Sequence, residues 1–387
     1  MGTRVTGKSG KSGKRLLVST VLTTVVAATG CGTTGTNGTT GTDGAAAGNG
    51  KINIAVIYSG PQETPYGQVQ INAVKAAIAA VGPSRFSLKV VDDLPFDKQL
   101  TQTTEQLFQT GTDLIVDAAT AGPLFTDACT KYPKKYCLEG YPVGQLPANT
   151  AGYWVDSNPM FYLQGVAAGL LTKSGDTGFV NAIKLPGSTA LVNSFALGCR
   201  SVRPDCKVHN VYLNSFSDPP GEVSATKTLV NGGADVIAHY MDDPATLKAA
   251  ASLKAWSFGL YTDQRGEAPG TYVTSQLWQP ALTEVFKQDL TNLLAGKWKS
   301  GQLNWGTAAH TVDLSLGPWG KNVPASVRAK VEKRYAEIKG GANPFTGPIS
   351  DAKGKVRVPA GKELDPRDPD GVVYANWSWP VAGVIGG

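Results

Sequence analysis

An α/β fold of two similar, Rossmann-like lobes is predicted by three observations. From Lys51 onward, buried-strand runs alternate with helical stretches. One strand-entry pattern is written twice, as LFQTGTDLIVDAA at 107–119 and as LVNGGADVIAHYM at 229–241, with Leu, Gly, Asp and Ile in the same places. The 337 residues after position 50 also exceed what a single core usually serves.

The first residues, GTRVTGKS at 2–9, spell the phosphate-loop pattern, but no strand precedes them, and that motif needs a strand, a turn and a helix. A basic run (Arg4, Lys8, Lys11, Lys14, Arg15) leads instead into LLVSTVLTTVVAA, which carries no charge. That apolar run is shorter than the roughly 20 residues of a membrane span and fits the core of an export signal. Residues 1–30 are therefore expected to be a signal peptide. ATGC at 28–31 resembles a lipobox, with Ala28 where Leu is usual, which makes Cys31 the expected lipidation site. Several acyl chains on one Cys anchor a protein far better than one does. Residues 31–50, rich in Gly and Thr, read as a flexible tether.

The first unit begins with the strand run INIAVIYS (52–59) and a turn, SGPQETPYG. Val69, Ala73, Ala76, Ala77 and Ala80 then line one helical face, and FSLKVVDD (86–93) reads as a second strand. A helix through Leu107 leads into the third strand. The second unit repeats this order: TGFVNAIKLPG (177–187), a helix containing 193–198, VHNVYLNSFSDPPG (208–221), and 229–241. Two such βαβαβ units imply two mainly parallel sheets covered on both faces. Ligands of such sheets bind beyond the C-terminal strand ends, so facing lobes make a cleft. Neither first turn carries the dinucleotide fingerprint G-x-G-x-x-G, and no cofactor is expected.

The formal charge of +6 belongs to the leader, because five of the 36 Lys and Arg precede Cys31 and no acid does. The remainder has 31 bases against 30 acids and no basic cluster, which argues against a nucleic-acid partner. The other cysteines fall in two tight pairs. An exported chain favours disulfides, and Cys129–Cys137 and Cys199–Cys206 each close a short loop. Neither pair has zinc spacing. His209, His239 and His310 stand far apart, and DPRDPDG (365–371) lacks the alternation of a calcium loop, so no metal is expected.

Four stretches, YLQGVAAGLLTKSGDTGFVNAI (162–183), NSFALGCRSVRPDCKV (193–208), SFSDPPGEVSATKTLVNGGADVIAHYMDDP (215–244) and FGLYTDQRGEAPGTYVTSQLWQPAL (258–282), together resemble the basic membrane lipoprotein family of ABC-transporter substrate-binding proteins. The tail, with GPISDAKGKVRVPAGKEL and NWSWPVAGVIGG, is similar to one branch of it. The resemblance implies a type I periplasmic-binding fold with a three-segment hinge, no catalysis, and a nucleoside or purine-like ligand between the lobes. The crossings are placed near 151–159, 262–276 and 305–315. Lobe one is expected to comprise 51–155 plus 277–306, and lobe two 156–276 plus 307–387.

By the same resemblance, Tyr66 stacks on the ligand, Glu63 stands near the usual acid, and Asp242 and Asp263 are polar cleft residues. Gly60 and Phe216, in loops at strand ends, and Tyr240 are further candidates, with ordinary turn chemistry the plainer role for SDPPG and a place in the sheet the plainer role for Tyr240. Trp278 replaces a Lys of the nucleoside-binding branch, and Tyr261 replaces an Asp associated with ribose hydroxyls. Those departures favour a flat base over a full nucleoside. Stacking on Tyr and Trp is worth about 1–3 kcal/mol per base, and carboxylates add orientation by accepting from ring N–H groups. Plainer roles stand beside these: Tyr66 and Trp278 as packing residues, Asp243 as a helix cap, Asp263 as a hinge bond.

The expected function is that of a monomeric, lipid-anchored receptor on the extracytoplasmic face of the cell membrane, delivering a purine-like base or nucleoside to an ABC permease. A sensor ectodomain is the alternative. A secreted nucleoside-processing enzyme is the third reading, and it lacks G-x-S-x-G and an unpaired Cys nucleophile.

Overall fold

The computed structural model describes residues 50–142, 145–300, 303–305, 314–364 and 377–386. The proposed signal peptide, Cys31, nearly all of the tether, His310 and the acidic DPRDPDG stretch lie outside these residues.

The chain runs β1 (Ile52–Ile57), α1 (Pro65–Val81), β2 (Phe86–Val91), α2 (Lys98–Gln109), β3 (Leu114–Asp117), α3 (Pro123–Lys131), β4 (Tyr136–Gly140) and β5 (Thr150–Trp154). It continues through α4 (Asn158–Leu171), β6 (Asp176–Asn181), α5 (Pro186–Val202), β7 (Lys207–Tyr212), α6 (Pro219–Asn231), β8 (Val236–Tyr240), α7 (Ala245–Ser252), β9 (Trp256–Gly259) and β10 (Tyr272–Leu277). The remaining elements are α8 (Gln279–Leu294), β11 (Leu303–Trp305), β12 (Ser315–Leu316), α9 (Ala325–Lys339), the hairpin pair β13 (Ile349–Ser350) and β14 (Val356–Val358), and β15 (Val384–Ile385).

Two large sheets result, ordered β11-β5-β4-β3-β1-β2 and β12-β10-β9-β8-β6-β7-β15, beside the two-stranded β13-β14. Their central strands follow one plan, 2-1-3-4-5, once from β1 and once from β6. This is the doubly wound order in which ligands bind at the strand switch point. Every pairing in the first sheet is parallel, and in the second only β12 runs antiparallel. β1 and β3 read as near-continuous apolar runs because both faces of each sheet are covered.

The crossings follow from sheet membership. The first lies between Trp154 of β5 and Asn158 of α4. The second lies at Leu277–Gln279, after β10, and not over 262–276: β10 pairs with β9 inside the second lobe, whereas α8 packs on the first through Phe286 against Tyr153, with ring centroids 5.1 Å apart. The segment 262–271 is instead an excursion of the second lobe, tied by Gln264, whose Oε1 accepts from the N–H of Leu260. The third crossing, between β11 and β12, falls outside the described residues.

Cys129 is bonded to Cys137, linking α3 to β4, and Cys199 to Cys206, linking α5 to the entry of β7. At the strand ends, buried carboxyl groups organise the loops. Asp117, paired in register with Glu139, accepts from the N–H groups of Ala119 and Ala121, while Glu139 accepts from Gly122. Glu222 on α6 accepts from the N–H and hydroxyl of Thr246, joining α6 to α7. The C-terminal stretch packs on the second lobe. Asn193 grips it from both sides, donating to Trp379 O and accepting from Val381 N.

Candidate functional site

The C-terminal ends of β1, β4, β8 and β9 carry a cluster of tyrosines that meets across the two lobes. Tyr58 follows β1 directly, and its hydroxyl reaches the other lobe, donating to Asp242 Oδ2 at 3.1 Å. Tyr261, beyond β9, donates to Oδ1 of the same carboxyl at 3.4 Å. Tyr66, in the first turn of α1, lies edge-on to Tyr261 with centroids 5.1 Å apart, and Trp278, at the second crossing, lies 4.9 Å from Tyr261 and 6.5 Å from Tyr66. Tyr58, Tyr261 and Trp278 are at most 2% exposed, so the lobes are closed on their own side chains.

Local sequence explains how these residues are aimed. Thr64 caps α1 through its hydroxyl, accepting from Gly67 N, and Pro65 fits the first helical position. Tyr66 is thereby turned inward. The ring of Tyr58 lies against the chain at Gly60 and Gly67; a Cβ at Gly67 would stand 2.8 Å from it and one at Gly60 would stand 3.0 Å from its hydroxyl. Tyr141, just after β4, and Tyr261 adopt φ of 53° and 69°, a left-handed region that costs a non-glycine residue about 1–2 kcal/mol. Such strain concentrates at functional positions.

Of the residues expected at the site, the structure brings Tyr66, Tyr240, Asp242, Tyr261 and Trp278 together. Phe216 joins at the rim, edge-on to Tyr240 at 6.0 Å, and its carbonyl accepts from Asp242 N. Gly60 contributes room for Tyr58 rather than a contact group. Two residues stand elsewhere. Glu63 is exposed because Thr64 takes the cap, leaving Glu63 to accept from Gln68 through its backbone oxygen. Asp263 is exposed and bound to Arg265 at 2.9 Å, facing a separate cavity of about 400 Å³ lined also by Tyr272, Trp319 and Lys321. The two adjacent acids divide their work: Asp243 accepts from Ala245 N at the start of α7, and Asp242 faces the tyrosines.

Sequence reasoning missed Tyr58, Tyr141 and Asp156. Asp156 sits in the first crossing, 1% exposed, and its Oδ1 accepts from both nitrogens of Asn158. Its other oxygen is buried without a hydrogen-bond partner, as is the hydroxyl of Tyr66. Burial pushes the Asp156 carboxyl up to about 6 and that of Asp242 to about 7, the tyrosine bonds opposing the rise at Asp242. Burial, then neighbouring tyrosines and both of these acids, raises the hydroxyl of Tyr141 well above its ordinary range, which places it in the field of both carboxyls. Trp278 closes the floor: its Nε1 donates to Gln276, Gln276 to Gln164, and Gln164 to Gly259 O.

Two doubly wound lobes, two described crossings and polar and aromatic groups meeting at the strand ends define a solute-binding protein of the periplasmic-binding type. The solute-binding protein of an ABC transporter from Conexibacter woesei shares this fold, with a TM-score of 0.59 at 20% identity over 75% of this chain and 97% of that one. The family is set by sequence: residues 52–340 match the model of the PnrA-like ABC transporter substrate-binding proteins, and the chain belongs to that family. A purine-binding protein of Brucella abortus is 28% identical over 331 residues, 83% of this chain and 91% of that protein. A putative ABC transporter glucose-binding protein of Haloferax volcanii is 33% identical over 178 residues, 46% of this chain and 44% of that protein.

Proposed function

We propose that this protein is a lipid-anchored extracytoplasmic receptor that closes its lobes on a flat, purine-like base and presents the closed form to an ABC permease. The observation that carries this reading is the interlobe cluster in which Tyr66, Tyr261 and Trp278 pack edge-on and Tyr261 and Tyr58 donate to Asp242. Flat π-systems stack on such rings, and the carboxyls and the unpartnered Tyr66 hydroxyl supply hydrogen bonds to ring nitrogens and exocyclic groups. The purine-binding relative, which matches most of the chain, supports a base over a sugar more strongly than the glucose-binding relative, which overlaps less than half.

Closure is the signal. A ligand shifts the open–closed equilibrium only by its differential affinity for the two states, and contacts from both lobes supply that difference. Anchoring rests on Cys31 in ATGC and the basic–apolar leader. The test is calorimetric titration with adenine, guanine and hypoxanthine, alongside Tyr66→Ala. Saturable binding at one base per chain that weakens by about ten- to hundredfold in the variant, the worth of one stacking face, supports the reading. Equal affinity in the variant removes Tyr66 from the site.

A further inference from the structure

The charge balance of the cleft bears on which bases it takes, an inference that rests on the proposed function. Two carboxyl groups stand beside the tyrosine cluster, both close enough to raise the Tyr141 hydroxyl. Asp242 receives its side-chain hydrogen bonds from tyrosine hydroxyls, Tyr58 at 3.1 Å and Tyr261 at 3.4 Å. Asp156 is bonded through one oxygen, and the second is buried and unpartnered. Among the described residues, no Lys, Arg or His pairs with either acid. Among the described residues, Tyr66, Tyr141, Tyr240, Tyr261 and Trp278 add aromatic rings beside these acids.

A buried carboxylate without a counter-charge costs several kcal/mol, and the chain has two ways to avoid that cost: keep the acid protonated or meet it with a cation. Burial lifts Asp156 to about 6 and the half-buried Asp242 to about 7, toward the protonated form, which leaves negative charge at the seam near neutral pH for a cation to meet. Ring faces carry negative potential and attract cations, more strongly when desolvated. An anion entering this seam would meet two acids and a cluster of aromatic rings, with no basic group among the described residues to receive it.

We infer that the cleft selects its solute by charge, taking a heteroaromatic base that carries a positive charge and excluding anionic bases, with Asp156 and Asp242 as the counter-charges. Neutral bases bind more weakly, through stacking and N–H donation alone.

The experiment is calorimetry near neutral pH on the wild-type protein with matched pairs: 7,9-dimethyladeninium, a fixed cation, against neutral 9-methyladenine, with urate as the anion, and 1-methylnicotinamide, a fixed cation outside the purines, against nicotinamide. The expected result is that each cation binds at least about tenfold more tightly than its neutral partner, the scale of a desolvated cation–π and carboxylate contact, and that urate does not bind. Asp242→Asn and Asp156→Asn should each shrink that ratio, whereas Asp263→Asn, outside the seam, should keep it. The wild-type ratios stand as a test even where a variant fails to fold. Binding of the pyridinium cation but of no purine supports charge selection while removing the purine reading. Neutral bases binding as tightly as cations, urate binding, or no cation binding at all would overturn the inference.

Discussion

Tyr58→Phe isolates a hydrogen bond that spans the two lobes at the tyrosine cluster. The hydroxyl of Tyr58 makes two contacts, to Thr64 Oγ1 at 3.0 Å within its own lobe and to Asp242 Oδ2 at 3.1 Å in the other. The first persists whether the lobes are open or closed, so its loss cancels in the equilibrium between them. The second exists only in the closed form. A hydrogen bond is worth about 0.5–1.5 kcal/mol net between neutral groups and about 1.5–3 kcal/mol to a charged one. Asp242, lifted to about 7, is near half ionised at neutral pH, which places the loss at about 1.5 kcal/mol. That is about a tenfold shift toward the open form, with a matching loss of apparent ligand affinity where closure is required for binding. Energy transfer between dyes at the exposed positions Asn72 on α1 and Lys227 on α6 reads the first quantity, and calorimetry the second. Unchanged transfer together with unchanged affinity would refute the assignment of this bond as a closure contact.

Tyr66→Phe removes a buried hydroxyl that has no partner, so the unliganded protein should melt at the same temperature or higher while base affinity falls severalfold; a lower melting temperature would mean that the hydroxyl is satisfied. Removing either disulfide, as Cys129→Ala/Cys137→Ala or Cys199→Ala/Cys206→Ala, should cost about 2.5 kcal/mol in denaturant unfolding, from the loop entropy of separations of 8 and 7 residues. Stability should fall as pH rises from about 6.5 to 8.5. Burial lifts Asp242 to about 7 and Glu222 to about 9, and burial together with Asp117 raises Glu139, so in that window the folded chain holds protons that the unfolded chain has released. His239, pulled down to about 4 by burial, opposes this only at lower pH, and a melting temperature that rises across the window would contradict these assignments. In a bacterial host, Cys31→Ser should abolish incorporation of labelled fatty acid and release the protein from the membrane fraction; retained label would place the anchor elsewhere.

The two-lobe plan was legible because a parallel βαβ unit leaves a coarse signature, an apolar strand, a turn and an amphipathic helix, and here that signature is written twice. The lobe boundary at 276/277 was legible too, but the crossing itself was not: 262–276 reads as a connector, yet its last part forms β10, which pairs with β9 inside the second lobe, and the chain crosses only after it. The aromatic members Tyr66 and Trp278 were reached through the family resemblance, since by composition alone each reads equally well as a packing ring. Tyr58 was not, since it reads as part of the buried strand run 52–59, and its reach across the seam depends on the two glycines beneath it. Tyr141 and Asp156 were hidden for a related reason: a left-handed residue after β4 and a carboxyl in a three-residue crossing acquire their direction only from the docked lobes. Asp263 misled because a cleft acid and an acid clasped by the Arg two positions on look alike in a single sequence.

The central claim is that the seam around Tyr66, Asp242 and Trp278 receives a purine-like base. The most direct measurement is a calorimetric titration of the disulfide-intact protein against purine bases, nucleosides, sugars and amino acids, repeated with Asp242→Asn. Saturable binding of a base at one per chain, weaker for the corresponding nucleoside and diminished by the substitution, is the predicted result. Binding of a sugar or an amino acid with no response to any base or nucleoside would contradict it, leaving the fold and family in place and the ligand class wrong.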